Sequence, residues 1–253
     1  MALTVLETNL TAYRRVWRGS VLSSFVLPIL FVVGFGIVVG NVVDAGGRLG
    51  TPYLDYIVPG MMASGIVNVA FSESAWPVMS KFQWSRLYHG WVTAPLRIAD
   101  IVGGELLFVL VRVVSTAAVF LLVTAVFGAV HSWWALAAVL VCGLLGLAIA
   151  APVLAFAGWA QQDGYFPLLM RFVVIPMTLF AEVFFPISRL SEPLRWLAYA
   201  SPLWHAVVLC RACTLPAFAM PWWSVLGHLA YLAAWAGIGF SLALVTYRRR
   251  LVS

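Results

Sequence analysis

Lysine is almost missing from this chain: Lys81 is the only one. A phosphate-cradling loop needs a Gly-Lys step, and Lys81 follows Ser80, so the chain cannot hold ATP by that motif. Charge of either sign is scarce. Only 9% of residues are charged and 63% are hydrophobic, whereas a soluble domain carries about 25% charged residues. That excludes a water-soluble domain of useful size and points to the bilayer. Cysteine is also sparse. Cys142 falls in an apolar run, and Cys210 and Cys213 form a C-x-x-C outside any thioredoxin-like βαβ setting. A metal would need two further ligands from the scattered His131, His205 and His228, so none is expected. The cysteines read as small core residues, with a local Cys210–Cys213 disulfide as the alternative if the loop meets an oxidising compartment. Neither H-E-x-x-H nor G-x-S-x-G occurs, which removes the common zinc-hydrolase and serine-hydrolase signatures.

What the chain does have is long apolar runs. A helix needs about 20 apolar residues to cross the hydrocarbon. Runs of that length are expected at about 20–42, 56–78, 102–127, 133–159, 166–187 and 222–246. Residues 1–18, with Leu3, Leu6, Leu10, Tyr13 and Trp17 at helical spacing beside Arg14, Arg15 and Arg18, predict an amphipathic helix at the interface. The stretch from Gly19 to Val43 is too long for a signal peptide and reads as a retained first span, kinked at Pro28. Asp44–Thr51 (DAGGRLGT) reads as a turn, and Gly60, Ala63, Ser64 and Gly65 offer small residues for close helix packing.

Residues 194–213 are apolar enough for a seventh span, but Ser201-Pro202 breaks them. Charge decides the count. With six spans, the termini and the 80–97 loop hold nine cations: Arg14, Arg15, Arg18, Lys81, Arg86, Arg97 and Arg248 to Arg250. The opposite loops hold four, Arg48, Arg189, Arg195 and Arg211. Seven spans would move the triple arginine outside, against the positive-inside bias. Six spans with both termini cytoplasmic are therefore expected, and 194–213 becomes a pair of short re-entrant helices on the outer side.

Five charges lie inside apolar runs: Glu73, Glu105, Arg112, Arg171 and Glu182. An intramembrane charge costs at least about 2.5–3.5 kcal/mol on insertion scales, so each is a functional candidate. Arg171 and Glu182 sit near span ends and can snorkel. Glu73 and Glu105 are expected at similar depth. Arg112, seven residues after Glu105, is expected to lean toward it, and across the helix pair toward Glu73. A structural ion pair and a proton relay both fit this pattern.

The 80–97 loop interleaves Phe82, Trp84, Leu87, Tyr88 and Trp91 with Lys81, Gln83, Arg86 and His89 before Pro95. It reads either as a helix lying at the interface or as a docking helix for a cytoplasmic partner. The dispersed arginines orient the chain in the membrane, and no nucleic acid is expected.

Two stretches carry a resemblance: "ESAWPVMSKFQWSRLYHGWVTAPLRIADIVGGEL" (73–106) and "FFPISRLSEPLRWLAYASPLWHAVVLCR" (184–211). The chain resembles the permease subunits of ABC-2 type exporters, in the branch of nodulation-type lipo-oligosaccharide and daunorubicin-type drug exporters. Ser191-Glu192-Pro193 stands where that family usually has a simpler Leu-Pro. The resemblance implies an all-α membrane protein of six transmembrane helices, type V exporter-like, paired with a second permease copy or a different chain. It implies a separate ABC ATP-binding subunit that carries ATP and Mg, with no cofactor on this chain. It also implies a coupling helix at 80–97, with Lys81, Trp84, Arg86, Tyr88 and Trp91 at the ATPase contact. The outer re-entrant helices would form a gate around Pro186, Pro202 and Arg211.

The expectation is an export permease of the cell (inner) membrane, not itself an enzyme. Its cargo would be a lipid-like, glycolipid or hydrophobic drug molecule. The alternatives are a proton-coupled secondary exporter using Glu73 and Glu105, which should show an inverted repeat that is not seen here, and a membrane-embedded enzyme, which the missing motifs disfavour. A reporter fused after Ser253 is expected to read cytoplasmic and one inserted at Gly46 external. An external C-terminal signal would overturn the six-span topology.

Overall fold

In hydrocarbon no water satisfies a backbone N–H or C=O, so an apolar chain has to bond its peptide groups within each segment. The computed structural model describes residues 1–15, 19, 26, 29–31, 33–34, 52–93, 96–128, 130 and 132–252, and shows helices and no strand among them. The helices are α1 (Ala2–Tyr13), α2 (Tyr53–Ser74), α3 (Trp76–Gln83), α4 (Leu87–Thr93) and α5 (Ile98–Val126). They continue as α6 (Ala135–Trp159), α7 (Tyr165–Phe180), α8 (Glu192–Tyr199), α9 (Pro202–Thr214) and α10 (Trp222–Val252). Most of the expected first span, Pro28 included, lies outside the described residues, as do the turn at 44–51, Pro95 and His131.

Four stretches among the described residues are long and apolar enough to cross a membrane: Tyr53–Gln83, Ile98–Val126, Ala135–Trp159 and Trp222–Val252. The span expected at 166–187 is different. Its helix closes at Phe180, which at 1.5 Å per residue is short of the roughly 30 Å of hydrocarbon. Pro176 offers no N–H to the preceding turn and crowds it, and that turn widens into π-helix over Met170–Val174. Residues 181–185 then bend, with Glu182 at a φ of 61°.

Helix α6 is the hub, packed against α2, α5, α9 and α10. It is rich in small residues, which let backbones approach closely. At the tightest point Gly239 of α10 faces Pro152 of α6: a Cβ there would sit 2.5 Å from the proline ring. Helix α1 is not simply laid on a surface. It packs along α5 with Val5 over Gly104 and Tyr13 edge-on to Phe108. Its buried residues are Val5 and Asn9, while Leu6, Leu10 and Tyr13 of the expected face are half-buried and Leu3 is exposed, so the docked face is rotated from the expected one. The reason lies on α5, which offers a glycine notch and a carboxylate at those levels.

Several elements meet at one end of the bundle. Gln83 donates to the Gln161 carbonyl, and Arg250 donates to the carbonyls of Ala157 and Ala160 at 2.7 Å each. The arginine thereby caps the last turn of α6, whose carbonyls have no helical partner. It also lies 4.2 Å over the Phe82 ring. The starts of α1 and α5, the α3–α4 loop and the end of α10 thus share one end. The start of α2 with α8 and α9 occupies the other.

Gly239→Ala is expected to push α10 off α6 and destabilise the protein by about 1–3 kcal/mol. A lowered thermal unfolding midpoint in detergent would report it. Gly237→Ala, where a Cβ meets nothing within 4 Å, should leave that midpoint unmoved.

Candidate functional site

Helices α2–α3 and α5 run antiparallel, and their charges are spaced to match. Eight positions separate Glu73 from Lys81 and seven separate Arg112 from Glu105. Opposite charges therefore come level twice. Lys81 Nζ lies 2.6 Å from Glu105 Oε1 and 2.8 Å from Oε2. Arg112 Nε lies 2.9 Å from Glu73 Oε1. This corrects the expected Glu105–Arg112 pair. Seven residues of helix rise about 10 Å, too far for one side chain to lean across. Glu73 and Glu105 likewise lie about 10 Å apart in depth rather than level.

Each pair is completed by α1. Asn9 donates to Glu105 Oε2 at 3.2 Å and accepts from Lys81 at 2.7 Å. Tyr13 accepts from Arg112 at 2.6 Å, with the guanidinium 4.4 Å from its ring. Glu105 is almost fully buried, and its third donor group is the Tyr88 hydroxyl at 2.9 Å. Burial and the Glu105 charge beside it push the Tyr88 phenol well above its ordinary value.

The expected single helix over 80–97 is two helices joined at residues 84–86, with Arg86 in the left-handed region at a φ of 47°. The aromatic face expected there is split. Phe82 and Tyr88 point inward, their rings 4.7 Å apart, with Tyr247 of α10 packed on both. Tyr88 is wholly buried and so offers no surface to a partner. Trp91 is half-buried against Tyr88. Lys81 is committed to Glu105. What protrudes is the tip: Trp84, 73% exposed, with Ser85 and Arg86.

At the other end, the buried Arg211 ties α9 to α2 and to the bent segment. It donates to the carbonyls of Tyr56, Glu182 and Val183, pairs with the Glu182 carboxylate at 3.5 Å, and lies 3.9 Å over the Tyr56 ring. Burial pulls the Arg211 guanidinium below its ordinary value, against the opposing effect of Tyr56 and Glu182. The bent residues 181–185 can lie this close because Gly60 of α2 faces them; a Cβ there would meet the Val183 carbonyl at 3.0 Å. Glu182 also accepts from Trp204 Nε1 at 2.9 Å. Pro202 begins α9, behind Ser201, whose hydroxyl caps the Leu203 N–H. Pro186 leads into a short 3-10 turn at Ile187–Arg189.

Arg171 joins neither cluster and is exposed in the π-helical turn. Cys210 lies 4.0 Å from Cys142 across α6 and α9, and all three thiols are free, so Cys210 and Cys213 are not joined. Among the described residues no three His, Cys, Asp or Glu side chains gather as a metal site. Sequence reasoning missed Asn9, Tyr56 and Trp204, and read Tyr13 only as part of an apolar face. Asn9 had a signal, since it shares a helix face with Tyr13 and is a polar residue in an otherwise apolar stripe.

Lys81→Met is expected to leave the Glu105 carboxylate buried with neutral donors only, a loss of about 3–5 kcal/mol. Membrane yield and unfolding midpoint should both fall. Lys81→Met with Glu105→Met removes both charges and should recover most of the loss.

The comparisons with known proteins agree with this architecture. The family described as ABC-2 type transporter matches residues 2–215. The chain is 27% identical to Nodulation protein J of Sinorhizobium fredii over 252 residues, covering 99% of this chain and 94% of that protein. Nodulation protein J of Bradyrhizobium diazoefficiens is 27% identical over 249 residues, 98% and 93% of the two chains. Inner membrane transport permease YadH of Escherichia coli is 25% identical over 208 residues, 77% and 75% of the two. With most of its length matched by the family and its helices long enough to cross a bilayer, this chain belongs to the ABC-2 type transporter family.

Proposed function

We propose that the chain is the membrane permease subunit of an ATP-driven exporter of the inner membrane, paired with a second permease and served by a separate ATPase that binds ATP and Mg. The cargo is an amphipathic molecule with a substantial apolar part, moved outward. Family membership supports the transport role, and the names of the relatives, a nodulation protein and an inner membrane transport permease, fit it.

Six crossings with both termini cytoplasmic is our reading of the topology. Its support is the sharing of one bundle end by α1, the α3–α4 loop and the end of α10, while Tyr56 lies at the other end. The backbone therefore changes ends between Tyr13 and Tyr53. It changes ends again between Tyr165 and the α8–α9 pair, although α7 alone is short. Residues 188–215 are then the outer gate, pinned by Arg211.

The observation that carries the coupling role is the Trp84–Arg86 tip. An exposed tryptophan and an arginine stand on a turn whose flanking helices are fixed from beneath by Lys81, Tyr88 and Glu105. A rigid aromatic anchor beside an arginine is the usual composition of an interface hot spot. A push on this tip is carried to α5 and α1 by the buried bonds. The pairing of Glu73 with Arg112 and of Glu105 with Lys81 supports a structural role for both carboxylates over a proton relay.

Trp84→Ala with Arg86→Ala is expected to reach the membrane at normal levels. ATPase co-purification should weaken by at least about tenfold and export should stop, as two anchors worth about 2 kcal/mol each would require. Wild-type pull-down together with wild-type export would overturn the assignment.

A further inference from the structure

At the end of the bundle away from the α3–α4 loop, two histidines face each other across a helix seam. His205 of α9 and His228 of α10 bring their Nδ1 atoms to 2.7 Å. His205 Nε2 lies 3.0 Å from the Tyr199 carbonyl. A carbonyl only accepts, so Nε2 carries the proton and the neutral ring presents a bare Nδ1. His228 therefore donates its Nδ1–H. The pair is boxed by aromatics: Tyr231 stacks on His205 at 3.9 Å, and the Trp204 ring lies 5.0 and 5.4 Å from the two imidazoles. Tyr231 also donates to the Ala200 carbonyl at 2.6 Å, a second bond across the seam that carries no charge.

We propose that His205 and His228 form an acid-released latch that holds the α8–α9 pair against α10. Closed and neutral, the pair makes one hydrogen bond with one donor and one acceptor. A first added proton can be shared along the Nδ1···Nδ1 line, but it places a charge in a half-buried aromatic box. A second sets donor against donor and cation against cation. Opening exposes both rings to water, where each binds protons freely, so acid favours the open seam.

The groups facing the pair do not offset this. From α10 they are His228 itself and Tyr231, from α8 the Tyr199 carbonyl, and from the bent segment Glu182, whose carboxylate is already held by Arg211 and Trp204. Helix α9 is not one of the spans, and burial, with the neighbouring His228 adding to it, lowers His205 from 6.5 to about 4 despite its bond to Tyr199. The sign follows from that depression. The latch holds above the open ring's 6.5 and weakens as pH falls toward 4. Between pH 7.5 and 5.5, His205 alone shifts the closed-to-open ratio by about tenfold.

This inference goes beyond export and needs neither cargo nor ATPase, so its failure would leave the permease reading standing. The test uses the full chain in lipid nanodiscs, with Cys142, Cys210 and Cys213 replaced by Ala. Spin labels go at Trp196→Cys and Leu226→Cys, two exposed positions on opposite sides of the seam. The expected result is one short distance at pH 7.5 and a longer population growing about tenfold in ratio at pH 5.5. His205→Gln should remove most of that pH dependence. Superimposable distance distributions at the two pH values, or an unchanged pH response in His205→Gln, overturn the latch. The unsubstituted protein gives an independent check through nitrogen-15 spectra of its four histidines. At pH 7.5 these should show an Nε2–H tautomer at His205 and Nδ1–H at His228. Nε2–H at both rings, or imidazolium at either, overturns it even if the variant fails to fold.

Discussion

A carboxylate removed from water demands a cation and a full set of donors, and Glu105 is met by four helices at once. Asn9 comes from α1, Lys81 from α3 and Tyr88 from α4, while Glu105 itself belongs to α5. No apolar contact would fix these helices in register as sharply, because an apolar side chain accepts a neighbour that slides and a buried ion does not. The second pair, Glu73 with Arg112 and Tyr13, repeats the arrangement about one helical turn of α1 further along. Together they make the loop end of the bundle a single rigid body.

The other end is organised by a different demand. Residues 181–185 leave the helix, so their carbonyls need donors from outside the segment. Arg211 supplies them from α9 and rests on Tyr56 of α2. One cation thus does the work of a missing helical turn. Its removal would free both a bent backbone and the Glu182 carboxylate.

Much of the fold was legible because hydrophobic length is a local property. Runs of small and aliphatic residues announce α5, α6 and α10, and Ser201-Pro202 marks the break before α9. The absent Gly-Lys step is equally local. What could not be read are properties shared between helices. That Lys81 and not Arg112 meets Glu105 depends on the register of α2–α3 against α5, across the interruption at Ala75. Tyr88 turns inward because the α3–α4 loop is two helices, and nothing in its composition separates it from Trp84, which points out. The close of α7 at Phe180 hides in an apolar run, since it is held by an arginine 29 residues away. The expected reach of Arg112 across to Glu73 is met, and the charge spacing of eight against seven then brings Lys81 level with Glu105.

The order in which these partners leave the ribosome has a consequence of its own. Lys81 is made 24 residues before Glu105, so the carboxylate emerges with its cation already present. Glu73 emerges first in its pair and meets Arg112 only 39 residues later, a wait of about 2–8 s at roughly 5–20 residues per second. Asn9 waits for 96 residues, about 5–20 s at that rate. Helix α1 thus enters the nascent membrane protein as an unattached strip and is recruited to the site it completes only when α5 arrives beside it.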